Sequence, residues 1–186
     1  LLKDVTFQKS LGTSYEKVNR IVALTEFLAT EVCPEQIKQA SRAAWLCKAD
    51  LVTQMVYEFP ELQGVIGGYY ADHSGEDPEV GLAIKEHYRP AFSGDSPPSS
   101  PVGSIVSIAD KLDTILGCIG VGLLPSGSED PYGLRRHSLG IIQIIISQNW
   151  QVSLDVLIQK GVNLLKDKTK LTSDEIHMHT QVLFSQ

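Results

Sequence analysis

Apolar side chains recur every three or four residues along most of this chain, the spacing that lines up one face of a helix. Thr13 with Glu16 three residues on forms a capping-box pattern, and Val18, Ile21, Val22, Thr25, Leu28 and Val32 then follow at helical intervals. A first helix is predicted from Ser14 to Val32. Pro34 suits the first turn of a second helix, in which Ile37, Ala40, Ala44, Leu46 and Leu51 lead on to a break near Pro60. Asp77-Pro78 pairs a cap with a proline at the first helical position and opens a short helix marked by Val80, Ala83, Ile84 and Tyr88. From Arg89 to Pro101 the four prolines predict an exposed loop. Ser100-Pro101 restarts a helix with Ile105, Ile108, Ala109, Leu112, Ile115 and Leu116 inward, loosened by Gly117, Gly120 and Gly122.

Asp130-Pro131 repeats the cap-plus-proline device. The helix it opens is apolar nearly all round in its C-terminal half, which predicts a central position, with Gly140 permitting a close crossing. A helix around Val152 to Leu165 follows, and Thr172 with Glu175 caps a last one through His177 and His179 to Leu183. No strand pair is evident, so the expectation is a single all-α domain of about eight or nine helices.

Composition narrows this picture. The 186 residues suffice for one substantial core, and a net charge of −6 carries no general electrostatic grip on nucleic acid, so any RNA contact must be local. Cys33, Cys47 and Cys118 have no CxxC spacing and read as reduced thiols of a cytoplasmic protein. The longest apolar runs fall short of a bilayer span. The opening "LLKDVTFQKS" has no initiator Met or signal-peptide layout, which reads as a piece excised from a longer chain. Its core is expected over about 12–165, with 166–186 a C-terminal helix or the start of the next region.

Candidate chemistry is sparse. His73, Glu76, His87, Asp110 and Asp113 are metal-ligand types, but no spacing binds them into a motif. Asp110 and Asp113 lie three apart on one helix face and repel unless a cation stands between them. Arg135 and Arg136 have two readings, as phosphate contacts or as partners reaching back to Asp110. "PSGSEDP" offers glycine and serine amides to a phosphate, yet Glu129 and Asp130 occupy the place of the anion. Without GxSxG or a Cys-His spacing, no catalytic residue and no metal site is assigned.

Four segments in order, "FQKSLGTSYEKVNRI", "LCKADLVTQMVYEFPELQGVIGGYYA", "GLAIKEHYRPAFSGDSPPSSPVGSIVSIADKLDTILG" and "GLLPSGSEDPYGLRRHSLGIIQII", resemble the beta subunit of the bacterial tetrameric glycyl-tRNA synthetase. The resemblance implies an HD-like helical domain with a degenerate metal motif. Lys17 stands in the place of the first histidine, Ala49 in the place of the second, and Asp50 and Asp110 keep the acidic places. Lys17 is expected to neutralise Asp50 or Asp110. The implied parent enzyme charges tRNA(Gly) with glycine using ATP and Mg, its chemistry belonging to the alpha subunit or the alpha portion of a fused chain. For this fragment the implication is a non-catalytic, tRNA-binding or scaffolding role without a cofactor, a membrane or DNA. Arg135, Arg136 and Lys111 are its RNA-contact candidates. A metal-dependent HD-type phosphohydrolase, opposed by the missing histidines, and a purely architectural spacer are the alternatives.

Overall fold

The hairpin of β1 (Thr6–Gln8) and β2 (Gly12–Thr13) leads directly into α1 (Ser14–Val32). The structure, a computed structural model, describes residues 1–126, 129–165 and 167–185. The hairpin corrects the expectation of no strand pairing; strands of three and two residues are too short to leave an alternating pattern. Helix α1 has the predicted bounds because its capping box forms. Thr13 Oγ1 accepts the Glu16 N–H at 3.3 Å. In return Glu16 Oε2 accepts the Thr13 N–H at 2.8 Å. The pair satisfies two amides that the start of a helix leaves open.

After α2 (Ile37–Leu46) the chain breaks earlier than the sequence pattern predicts, with a 3-10 turn over Ala49–Val52 and the short α3 (Gln54–Glu58) before Pro60. Helices α4 (Val65–His73) and α5 (Pro78–Glu86) pack closely, since a Cβ on Gly68 would sit 2.9 Å from the Gly81 carbonyl oxygen. The Pro-rich loop follows, and Ser100 caps α6 (Pro101–Gly120) by accepting the Gly103 N–H at 3.0 Å. Three further helices complete the fold among the described residues, α7 (Leu134–Ser147), α8 (Leu154–Leu165) and α9 (Ser173–Phe184). The nine helices among the described residues make a single all-α domain. Among those residues no helix is long and apolar enough to cross a membrane.

The centre is α6, in which every residue except Pro101 and Thr114 is buried against α1, α2, α5, α7, α8 and α9. The expectation of a central α7 is therefore corrected: Leu139 and Ile146 are 61% and 72% exposed on its outer side. Gly140 does permit the close crossing, because a Cβ there would lie 3.1 Å from the Lys111 Cε of α6. Helix α7 also starts later than Asp130-Pro131. Gly133 takes a left-handed φ of 64°, a conformation that glycine adopts without a Cβ penalty. Across it the Asp130 carboxylate reaches forward to the N–H groups of Leu134 and Arg135 at 2.8 and 2.9 Å. The anion place of the "PSGSEDP" reading is thus taken by the chain's own carboxylate. Gly127 and Ser128 lie outside the described residues.

Candidate functional site

Lys17 is on the core face of α1, in one stripe with Ile21, Leu24 and Leu28, and all four are buried. Its ammonium therefore meets α6 instead of water. Lys17 Nζ lies 2.9 Å from Asp110 Oδ1 and 3.1 Å from Asp113 Oδ2, and donates to Thr114 Oγ1 at 2.8 Å. One turn along α1, Arg20 holds Asp113 through Nε at 2.6 Å and a terminal nitrogen at 3.2 Å. The i, i+3 pair of cations on α1 thus answers the i, i+3 pair of carboxylates on α6, which resolves the repulsion that the sequence poses.

A third cation arrives from the turn after α2. Lys48 Nζ contacts Asp110 Oδ2 at 2.6 Å and His87 Nε2 at 2.9 Å. It also lies 3.8 Å from the centroid of the Tyr88 ring, within the range of a cation–π contact. Burial alone would push the Asp110 carboxyl upward, but the Lys17 and Lys48 ammonium groups hold it well below the usual carboxylate range. Burial likewise disfavours the charged form of Lys48, and Asp110 overrides this to raise its pKa. Both carboxylate oxygens of Asp110 are thus engaged by lysines, so Arg135 and Arg136 are not what neutralises it.

Asp50 belongs elsewhere. Its Oδ2 accepts the N–H groups of Gly64 and Gly67 at 2.7 and 3.2 Å, tying the 3-10 turn to the start of α4. Ala49 beside it lines a cavity together with Asp50. Of the two carboxylates expected for Lys17, Asp110 takes it and Asp50 does not. Among the described residues no group of three or more His, Cys, Asp or Glu side chains is arranged to hold a metal ion. The chemistry of the donors agrees, since ammonium groups at both oxygens of Asp110 oppose a divalent cation.

His87 is fully buried, and burial followed by the adjacent Lys48 charge pushes its pKa down to about 3. His137 is held down to about 4, again first by burial. The unfolded chain binds these protons near pH 6.5 while the fold refuses them, so stability is present above about pH 6.5 and lost on acidification. Each histidine contributes up to about 1.4 kcal/mol per pH unit. The urea midpoint is expected to fall between about pH 6.5 and 5; a flat midpoint over that window contradicts a neutral buried His87 and a neutral half-buried His137.

Lys111 does not behave as the expected surface cation. It is buried, and Nζ donates to the carbonyl oxygens of Tyr88 and Arg89 at 3.1 and 2.9 Å and to Ser107 Oγ at 2.9 Å. Burial lowers its pKa to about 8. With its donors spent inside the fold, Lys111 is withdrawn as an RNA contact. Arg135 is half-buried, whereas Arg136 is exposed and lines a groove of about 580 Å³ with Lys85, Arg89 and His137. Phe92, 64% exposed, forms part of the same groove. Of the two acidic side chains there, Asp95 is tied into its own turn by the Ala91 N–H at 2.7 Å, and Glu61 faces solvent.

Sequence reasoning missed Arg20 and Lys48 in the buried cluster and Lys85 and Arg89 in the groove; His87 stands out in the sequence only as a metal-ligand type, whereas the fold sets it against Lys48. Arg20 carried a legible signal, its i, i+3 relation to a lysine inside an apolar stripe. The others come from segments far apart in the chain, as with Lys48 and Asp110, 62 positions apart.

Residues 1–184 match the glycyl-tRNA synthetase beta subunit family. The glycine–tRNA ligase beta subunit of Trichlorobacter lovleyi is 51% identical over 175 residues, which is 94% of this chain and 26% of the relative. That of Geobacter sulfurreducens is 54% identical over 175 residues, with the same two shares. That of Desulforapulum autotrophicum is 54% identical over 163 residues, 87% of this chain and 24% of the relative. The chain spans about a quarter of the length of these relatives. With the family match running from the first residue into the last helix, and about half of the positions shared with each of these relatives, this chain belongs to the glycyl-tRNA synthetase beta subunit family.

Proposed function

We propose that this chain is a non-catalytic domain that helps hold tRNA(Gly) while a glycyl-tRNA synthetase charges it with glycine. Activation of glycine with ATP and Mg belongs, in this reading, to the alpha subunit or alpha portion, which is the domain's protein partner in the cytoplasm. The buried cluster is then an HD-type site turned structural. Lys17 and Lys48 stand where a metal's charge would otherwise balance Asp110, and their ammonium groups do not fit a metal-dependent phosphohydrolase.

The observation that carries the tRNA reading is the groove, where exposed Lys85, Arg89 and Arg136 gather beside Phe92 on a chain of net charge −6. A local basic patch on an acidic chain suits phosphate contacts, and the guanidinium fork suits phosphate oxygens. Arg136→Ala in the complete enzyme tests it through steady-state glycylation. KM for tRNA should rise roughly three- to tenfold, the scale of ~1 kcal/mol for an exposed contact, with kcat little changed. A fall in kcat at unchanged KM would overturn the binding role.

A further inference from the structure

Phe92 holds an aromatic ring, 64% exposed, on the loop between α5 and α6. Apolar side chains scattered singly over a surface are ordinary, but this one is held in place from both sides. Before it, the Arg89 carbonyl accepts from Ser107 Oγ at 2.6 Å and from Lys111 Nζ at 2.9 Å, both on α6. Pro90 is buried, its Cγ 3.2 Å from where a Cβ on Gly140 of α7 would stand. After it, Asp95 closes the turn, its N–H donating to the Phe92 carbonyl at 3.1 Å and its Oδ2 accepting the Ala91 N–H at 2.7 Å. The Asp95 carbonyl in turn accepts from the Gln143 amide of α7 at 3.0 Å. Two helices thus fix a loop whose ring is left in solvent, so little ordering remains to be done when a ligand meets it.

The groove that the ring lines has a volume of about 580 Å³, within the roughly 300–1,000 Å³ of sites that enclose a small ligand. Its cations are less dominant than their number suggests. Lys85, Arg89 and Arg136 share the groove with Glu61 and Asp95, and Arg89 lies 3.7 Å from Glu86. On a chain of net charge −6 such a patch orients phosphates but grips weakly by charge alone. Stacking supplies what charge does not. The face of an unpaired base lies flat on an aromatic ring, whereas inside a duplex that face is covered by the neighbouring bases. A fixed ring flanked by cations therefore suits single-stranded RNA and offers a regular stem nothing beyond the cations.

We propose that the groove takes an unpaired stretch of RNA, with one base stacked on Phe92 and the flanking phosphates met by Lys85, Arg89 and Arg136. This rests on the tRNA-holding reading and adds to it that the segment held is single-stranded.

Fluorescence anisotropy of the chain with a labelled mixed-sequence RNA octanucleotide, a blunt RNA duplex and tRNA(Gly) tests it. Phe92→Ala should weaken binding of the octanucleotide at least about fivefold, the low end of what one stacked base contributes, and leave the duplex unchanged. Phe92→Leu keeps an apolar side chain without the ring and should lose as much, while Phe92→Trp should retain the affinity. The salt dependence separates stacking from charge. Phe92→Ala should leave the slope of log affinity against log salt as it is, and Arg136→Ala should make it shallower by about 0.7. Octanucleotide binding unaffected by Phe92→Ala and Phe92→Leu, or duplex binding weakened equally, overturns the proposal; salt-dependent binding of tRNA(Gly) alongside that result leaves the tRNA-holding reading standing alone. Absence of saturable binding by all three RNAs overturns both.

Discussion

Replacing Asp110 by alanine is expected to cost the fold about 3–5 kcal/mol, read as a large drop in the urea midpoint at neutral pH. Asp110 is the shared counter-ion of Lys17 and Lys48, both 4% exposed. Its loss strands ammonium charge where water solvates it poorly. Lys17 keeps Asp113 as a partner, so the larger share of the cost falls on Lys48. The paired replacement of Lys48 by Met and Asp110 by Leu should therefore recover much of the loss, because no uncompensated charge remains at that end of the cluster. A cost below about 1 kcal/mol for Asp110→Ala would mean that water from the adjoining cavity solvates the lysines instead. That cavity is lined by Ser14, Gln63, Thr114 and His137 as well as by the cluster itself.

The helix ends are legible wherever a local cap decides them. Thr13 with Glu16, Asp77 with Pro78, Ser100 with Pro101 and Thr172 with Glu175 each start a helix where the pattern puts it, since the groups that pair lie within three residues. Asp130-Pro131 misleads because its carboxylate caps amides four and five residues ahead, across a left-handed Gly133, so α7 begins at Leu134. Helix α4 leaves a weak signal, because Gly67 and Gly68, poor helix formers, are there for close packing against Asp50 and α5.

Charge is the least reliable guide to position. Lys111 reads as a surface cation, yet it answers the Tyr88 and Arg89 carbonyls after α5, the second shared with the Ser107 hydroxyl, where Pro90 has no N–H to continue the helix. The Ile-rich run of α7 reads as central, yet the centre is α6, whose polar residues are hidden because α1 and the turn after α2 supply their partners. Lys17 stands out through the family resemblance with Asp50 or Asp110 as its expected partner, and geometry gives it Asp110. That Lys48 completes the site depends on the chain breaking after Leu46, which no local periodicity announces.

The second large effect concerns the groove. Replacing Lys85, Arg89 and Arg136 together by alanine should remove up to three phosphate contacts, along with the Arg89–Glu86 ion pair at 3.7 Å and the Lys85 contact with the Tyr69 ring, while leaving the buried cluster intact. Each phosphate contact carries a slope of roughly 0.7–0.9 in log affinity against log salt. Equilibrium binding of tRNA(Gly) to the chain, measured by fluorescence anisotropy across about 50–300 mM KCl, tests the tRNA-holding role most directly. The account predicts saturable binding that weakens as salt rises, and a triple variant that binds more weakly with a slope shallower by about 2 to 3. Absence of saturable binding at the lowest salt, or a triple variant indistinguishable from the parent chain, would contradict it and leave the domain a spacer.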